Sequence, residues 1–107
     1  MDVGNIEQKN NMFVEIDKKI TIKYLKEIKT NRTYVCGLSD FMSDEKINLF
    51  TKFLKKQLGA GMNIKKISNT NNMIKLEYGF QGNHLERIRN IILEETDISD
   101  DKIKVIN

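Results

Sequence analysis

The residues able to do covalent chemistry are few. The chain has one cysteine, Cys36, and one histidine, His84. A thiol becomes a nucleophile when a base or cation draws off its proton. Cys36 stands instead in the apolar run Tyr34-Val35-Cys36, with no histidine near it in sequence, which is the setting of a buried structural thiol. One Cys and one His cannot supply a zinc site, which needs several such ligands. There is no Gly-rich phosphate loop and no triad material beyond His84, which is expected as an exposed first-turn residue. The paired acids Glu94-Glu95 and Asp100-Asp101 fall in expected links and read as solvated charge. The expectation is therefore a protein with no catalytic residue, no metal and no cofactor.

The chemistry that remains is that of lysine. The net charge is only +3, but it is unevenly placed. Residues 18–75 carry twelve Lys and one Arg against four acids, whereas residues 1–17 and 76–107 each sum to −3. A basic centre between acidic ends suits a surface that meets a polyanion, and equally a Lys-rich face that serves only solubility. Two clusters stand out. One is the basic stretch Lys26 to Arg32, and the other is Lys52, Lys55 and Lys56. An ammonium neutralises phosphate as a point charge, and a guanidinium can grip it with two N–H groups or stack on a base.

These clusters need elements to hold them. Ile20, Ile22 and Tyr24 alternate with Thr21, Lys23 and Leu25, the period of a half-buried strand. Lys26 to Arg32 reads as a basic hairpin tip, and Thr33 to Leu38 as the returning strand. Gly37 near its end suggests a bulge or a close backbone approach. Ser43 is a helix cap, followed by Asp44 and Glu45 where the helix dipole favours anions. Ile47, Phe50, Leu54 and Leu58 form one apolar stripe, which Gly59 and Gly61 end. Lys52, Lys55 and Lys56 lie off that stripe, near the helix C-terminus, where their charge also suits the dipole.

Ile64 and Ile67 lead into Ser68-Asn69-Thr70-Asn71-Asn72, a turn, and Ile74, Leu76, Tyr78 and Phe80 alternate beyond it. Asn83 with Glu86 three residues on predicts a capping box for a helix whose buried stripe is Leu85, Ile88, Ile91 and Ile92. Glu94 to Asp101 is an acidic link, and Ile103 and Val105 mark a short last strand. Tyr24, Tyr34, Phe50 and Phe53 are expected in the core. The fold class is α+β, in the order β-β-α-β-β-α-β. A two-layer sandwich follows, a mixed sheet with both helices on one face, because each element has a single apolar side.

A chain of 107 residues fits one domain with one modest core. Residues 1–19 are expected as a flexible tail and 20–107 as the folded domain. A lone cysteine excludes an internal disulfide and fits a reducing compartment. No apolar run nears the ~20 residues of a membrane span, and the polar start does not resemble a signal peptide. A cytoplasmic monomer, without membrane contact, is the expectation.

The order of elements with a basic first hairpin resembles the domain shared by eukaryotic translation initiation factor 1 and its relatives, over residues 20–106. Ile20-Thr21-Ile22-Lys23 is similar to the family's opening strand, and Lys29-Thr30-Asn31-Arg32 falls at its basic tip, here without the glycine and one residue shorter. Val35-Cys36-Gly37-Leu38 resembles its Val-x-Gly-hydrophobic strand end. Phe53 to Gly61 is similar to its lysine-rich helix end, and Phe80-Gln81-Gly82-Asn83 to its Leu-Gln-Gly-Asp turn. Taking Gly82 as the family glycine lengthens the second hairpin; taking Gly79 places three extra residues before the helix. Val35-Cys36-Gly37-Leu38 with Phe41 also resembles the C-terminal domain of density-regulated protein, a relative that works in recycling and reinitiation with a further N-terminal region. The short form favours initiation factor 1.

The resemblance implies a start-codon selection factor on the small ribosomal subunit, near the initiator tRNA and the mRNA, with other initiation factors as partners. It implies rRNA contacts at Lys29, Asn31 and Arg32, to which the helix face Lys52, Lys55 and Lys56 is added. It implies a tRNA-proximal tip at Asn69, Thr70, Asn71 and Asn72, which carries no charge. A different RNA-binding module, one that displays aromatics on its sheet, is the competing expectation.

Overall fold

The computed structural model describes residues 18–68 and 74–107. Most of the expected tail and the tip Asn69–Asn72 lie outside the described residues. Strand β1 (Ile20–Lys26) pairs antiparallel with β2 (Asn31–Cys36). A short 3-10 turn, Leu38–Asp40, leads to helix α1 (Asp44–Leu58). Strands β3 (Met62–Ser68) and β4 (Ile74–Gln81) form the second hairpin. Helix α2 (Leu85–Glu95) and a 3-10 turn at Asp100–Lys102 precede β5 (Ile103–Ile106). The sheet order is β3-β4-β2-β1-β5, with β5 parallel to β1 and the other pairs antiparallel. This is the α+β sandwich and element order that the periodicities predict.

The period-2 pattern sets which residues face the helices. Ile20, Ile22, Val35, Tyr78 and Phe80 join Ile47, Phe50 and Leu54 of α1 and Leu85, Ile88, Ile91 and Ile92 of α2 in one buried cluster. Each fully buried aliphatic side chain there contributes about 1.5–3 kcal/mol relative to exposure. Both predicted helical stripes are thus the buried ones. Leu58 packs at the cluster's edge, as do Tyr24 and Ile103.

Helix α1 starts and stops where the sequence says. The Ser43 hydroxyl accepts from the Lys46 N–H at 3.3 Å, and Gly59 closes the helix at φ 60°. Gly37 has φ 98°, and a Cβ there would sit 2.4 Å from the Lys19 carbonyl oxygen, so the close approach predicted at this glycine is real. Helix α2 departs from expectation. Its N-cap is His84, not Asn83, and no side chain caps it. The N-terminal anchor comes from another strand: the buried Thr33 hydroxyl donates to the Gly82 carbonyl at 2.7 Å and accepts from the His84 N–H at 2.9 Å. A hydroxyl on β2 takes the place of a local capping box.

Candidate nucleic-acid interface

The β1–β2 turn is tighter than the sequence suggests. Lys26 pairs with Asn31 and Leu25 with Arg32, so Asn31 and Arg32 belong to β2 and only residues 27–30 form the loop. The Glu27 N–H donates to the Thr30 carbonyl at 2.7 Å, and the Thr30 hydroxyl donates to the Glu27 carboxylate at 3.4 Å. The loop presents Lys29, exposed, and Ile28, which is fully exposed at the tip. Arg32 is half-buried on the sheet face that points away from the helices.

The register then carries this turn to the other lysine cluster. Arg32 lies opposite Gln81, and the Gln81 N–H donates to the Gly61 carbonyl at 3.1 Å, while the Gly82 N–H donates to the Asn31 carbonyl at 3.0 Å. Gly59 to Gly61 follow directly from the end of α1. The start of α2 reaches the same place, because Arg87 Nη2 donates to the Gln57 carbonyl at 2.8 Å. The same end of the sheet therefore carries the turn of the first hairpin and the close of α1, with Arg32 on the open face of the sheet, Lys52, Lys55 and Lys56 on the helix side, and Arg87 linking the two helices. Lys52, Lys55 and Lys56 are exposed and, with Gly59, Ala60 and Gly61, line a shallow depression. Among the described residues none of these three lysines has an ion-pair partner, nor do Lys29 and Arg32. Several unpaired cations over one depression can neutralise neighbouring phosphates, and the terminal glycines let a backbone approach closely.

The opposite end is acidic. The chain enters α1 there with Asp44 and Glu45 and leaves α2 there with Glu94 and Glu95. The paired acids are exposed, as expected, but Glu94 and Glu95 close α2 rather than standing in a link. Asp100 pairs with Arg89 at 2.6 Å, and Asp101 accepts from the Ser99 hydroxyl, which holds its carboxyl below the ordinary range. Ser68 and Ile74, the last residue of β3 and the first of β4, also pair at this end, remote from the basic turn.

Two aromatic placements differ from the core reading. Tyr34 lies on the sheet face away from the helices, and Phe53 is 37% exposed on α1. Both follow from period: Tyr34 alternates with the buried Thr33 and Val35, and Phe53 precedes the buried Leu54. Cys36 is half-buried, and burial, then the charge of Glu77, push its thiol up. His84 sets Nε2 2.8 Å from the Gln81 carbonyl. The sequence reading missed Ile28 as an apolar tip, which its place in the polar stretch could have shown, and Arg87, which only the tertiary contact reveals. Among the described residues, no helix is long and apolar enough to cross a membrane.

No family model and no curated protein matches this sequence. Among solved structures, the crystal structure of the C-terminal domain of human eIF2D superposes with a TM-score of 0.69 at 18% identity, covering 83% of this chain. The likeness spans 43% of that chain's length. At this identity it establishes a common fold with that translation-factor domain and does not single out initiation factor 1 among proteins of the fold.

Proposed function

We propose that this chain is a non-enzymatic translation initiation factor that binds the small ribosomal subunit near the P site and acts in start-codon selection. The observation that carries the reading is that the first hairpin's Lys29 and Arg32 and the α1 residues Lys52, Lys55 and Lys56 lie at the same end of the sheet, where no described carboxylate pairs with them. The fold shared with the C-terminal domain of human eIF2D, whose name marks an initiation factor, supports it. In this reading Lys29 in the turn and Asn31 and Arg32 at the start of β2 meet rRNA, and the α1 lysines bind phosphates at the same end of the sheet. The uncharged stretch Asn69, Thr70, Asn71 and Asn72 would be proximal to the initiator tRNA, and the acidic end remains free for other initiation factors. A factor of the density-regulated-protein type, acting in reinitiation or recycling, would use the same basic end.

The test is binding to purified small ribosomal subunits across a salt series, for the wild type, Lys29→Glu/Arg32→Glu and Lys55→Glu/Lys56→Glu. Saturable, salt-sensitive binding weakened by both variants supports the reading. Failure of the folded wild type to bind small subunits sinks it.

A further inference from the structure

We infer that the open face of the sheet is a binding surface for single-stranded RNA, separate from the basic end. This goes beyond the small-subunit reading and does not depend on it; only Arg32 borders both surfaces.

Both helices pack on one side of the sheet, and none of the described elements covers the other. The register lays out what that open side displays. One row runs Lys23, Tyr34, Gly79, Asn63 across β1, β2, β4 and β3. The next runs Lys104, Thr21, Cys36, Glu77, Lys65, from β5 to β3. Adjacent positions in a row are spaced by the ~4.8 Å between strands.

At the centre is an aromatic ring seated on a glycine. A Cβ built on Gly79 would lie 2.9 Å from Tyr34 Cε1 and 2.5 Å from Asn63 Oδ1. The Tyr34 ring therefore rests over the bare backbone of β4, and any other residue at position 79 would displace it. A ring held by packing loses little further freedom when a base stacks on it.

The charges around the ring are lopsided. Lys23, Lys65, Lys75, Lys104 and Arg32 face this side, against one carboxylate of the strands, Glu77. Glu77 is nearly buried and lies 4.0 Å from Lys23, and Asp40 at the margin engages Lys75 at 3.6 Å. Lys65, Lys104 and Arg32 have no ion-pair partner among the described residues. Cations on both flanks with a fixed ring between them suit a backbone tracking across the strands with one base turned onto Tyr34. A duplex keeps its bases stacked inside and cannot offer one to a flat sheet. An acidic peptide would use the cations and leave the ring idle.

The experiment is fluorescence anisotropy with a labelled short oligouridine and, separately, with polyglutamate, over a salt series. The variants are Tyr34→Phe, Tyr34→Leu, Lys65→Ala/Lys104→Ala and the basic-end control Lys55→Ala/Lys56→Ala, each checked for folding by thermal melting. Tyr34→Leu keeps apolar cover over Gly79 but removes the π-face. The expected result is oligouridine binding retained in Tyr34→Phe and weakened roughly tenfold in Tyr34→Leu, within the range of one base stack. Lys65→Ala/Lys104→Ala should lower the salt slope by about 1.4, the figure for two single-strand phosphates. No oligouridine binding, loss only in the basic-end control, or equal binding of polyglutamate would each overturn the inference. Small-subunit binding, measured apart, decides the other reading, so either can fail alone.

Discussion

Arg87 on α2 donates through Nη2 to the carbonyl of Gln57, in the last turn of α1, at 2.8 Å. The last four carbonyls of a helix have no partner within it. A guanidinium delivered from a second helix satisfies one of them and brings a cation to the negative end of the α1 dipole. The contact also ties the last turn of α1 to the first turn of α2. Arg87→Ala should cost about 1 kcal/mol, since the bond is charge-assisted but solvent-exposed, and urea unfolding measures it. Arg87→Lys should recover only part, because an ammonium lacks the guanidinium's fixed donor geometry.

Thr33 offers a sharper test of the core. Its hydroxyl serves Gly82 and His84 at once, 49 and 51 residues away in sequence. Thr33→Val keeps the shape and leaves a carbonyl and an N–H unpaired in a water-poor site. The expected loss is about 1–3 kcal/mol, with Thr33→Ser losing less because it keeps the hydroxyl. Equal urea midpoints for Thr33→Val and wild type would show that the bridge contributes nothing.

Two glycines with left-handed backbones should behave differently. At Gly37 a Cβ meets the Lys19 carbonyl at 2.4 Å, whereas at Gly59 it meets open space. Gly59→Ala carries the conformational penalty alone, about 1 kcal/mol. Gly37→Ala adds a backbone clash that β1 must move to relieve, and should exceed about 2 kcal/mol. Denaturant midpoints of the two variants, measured side by side, decide the order.

The Cys36 thiol is raised by burial first and by Glu77 second, with Lys75 and Lys23 opposing. A raised folded-state value means the native state holds the proton longer than the unfolded chain. The associated stability is present in full below the ordinary thiol range and is lost as pH rises through the raised value. Native Cys36 should therefore be alkylated more slowly than the urea-unfolded chain, with its rate profile displaced to higher pH. Coincident profiles would contradict the placement.

Phosphate contact by the α1 lysines has a signature of its own. Each lost contact lowers the slope of log affinity against log salt by about 1. Lys55→Ala should do so in small-subunit binding, whereas Lys46→Ala, near the start of the same helix, should leave the slope unchanged.

Alternation in β1 and the three-and-four spacing in both helices were enough to name the buried residues there, because burial of one face per element is a local pattern, whereas in β4 it held for Tyr78 and Phe80 and failed at Leu76, which is 36% exposed. The stop at Gly59 and the cap at Ser43 were equally legible, since both act within a turn. What the sequence could not determine is pairing between distant strands. That β5 runs parallel beside β1, and that β4 lies next to β2, is settled by which faces bury together. The rest follows from that pairing: Thr33 replacing a capping box at α2, Tyr34 resting over Gly79, and the turn of the first hairpin sharing one end of the sheet with the close of α1. Each joins residues far apart in the chain through hydrogen bonds or contacts that no local periodicity encodes. The charges were written in the sequence, and the tertiary structure alone decided which of them stand together.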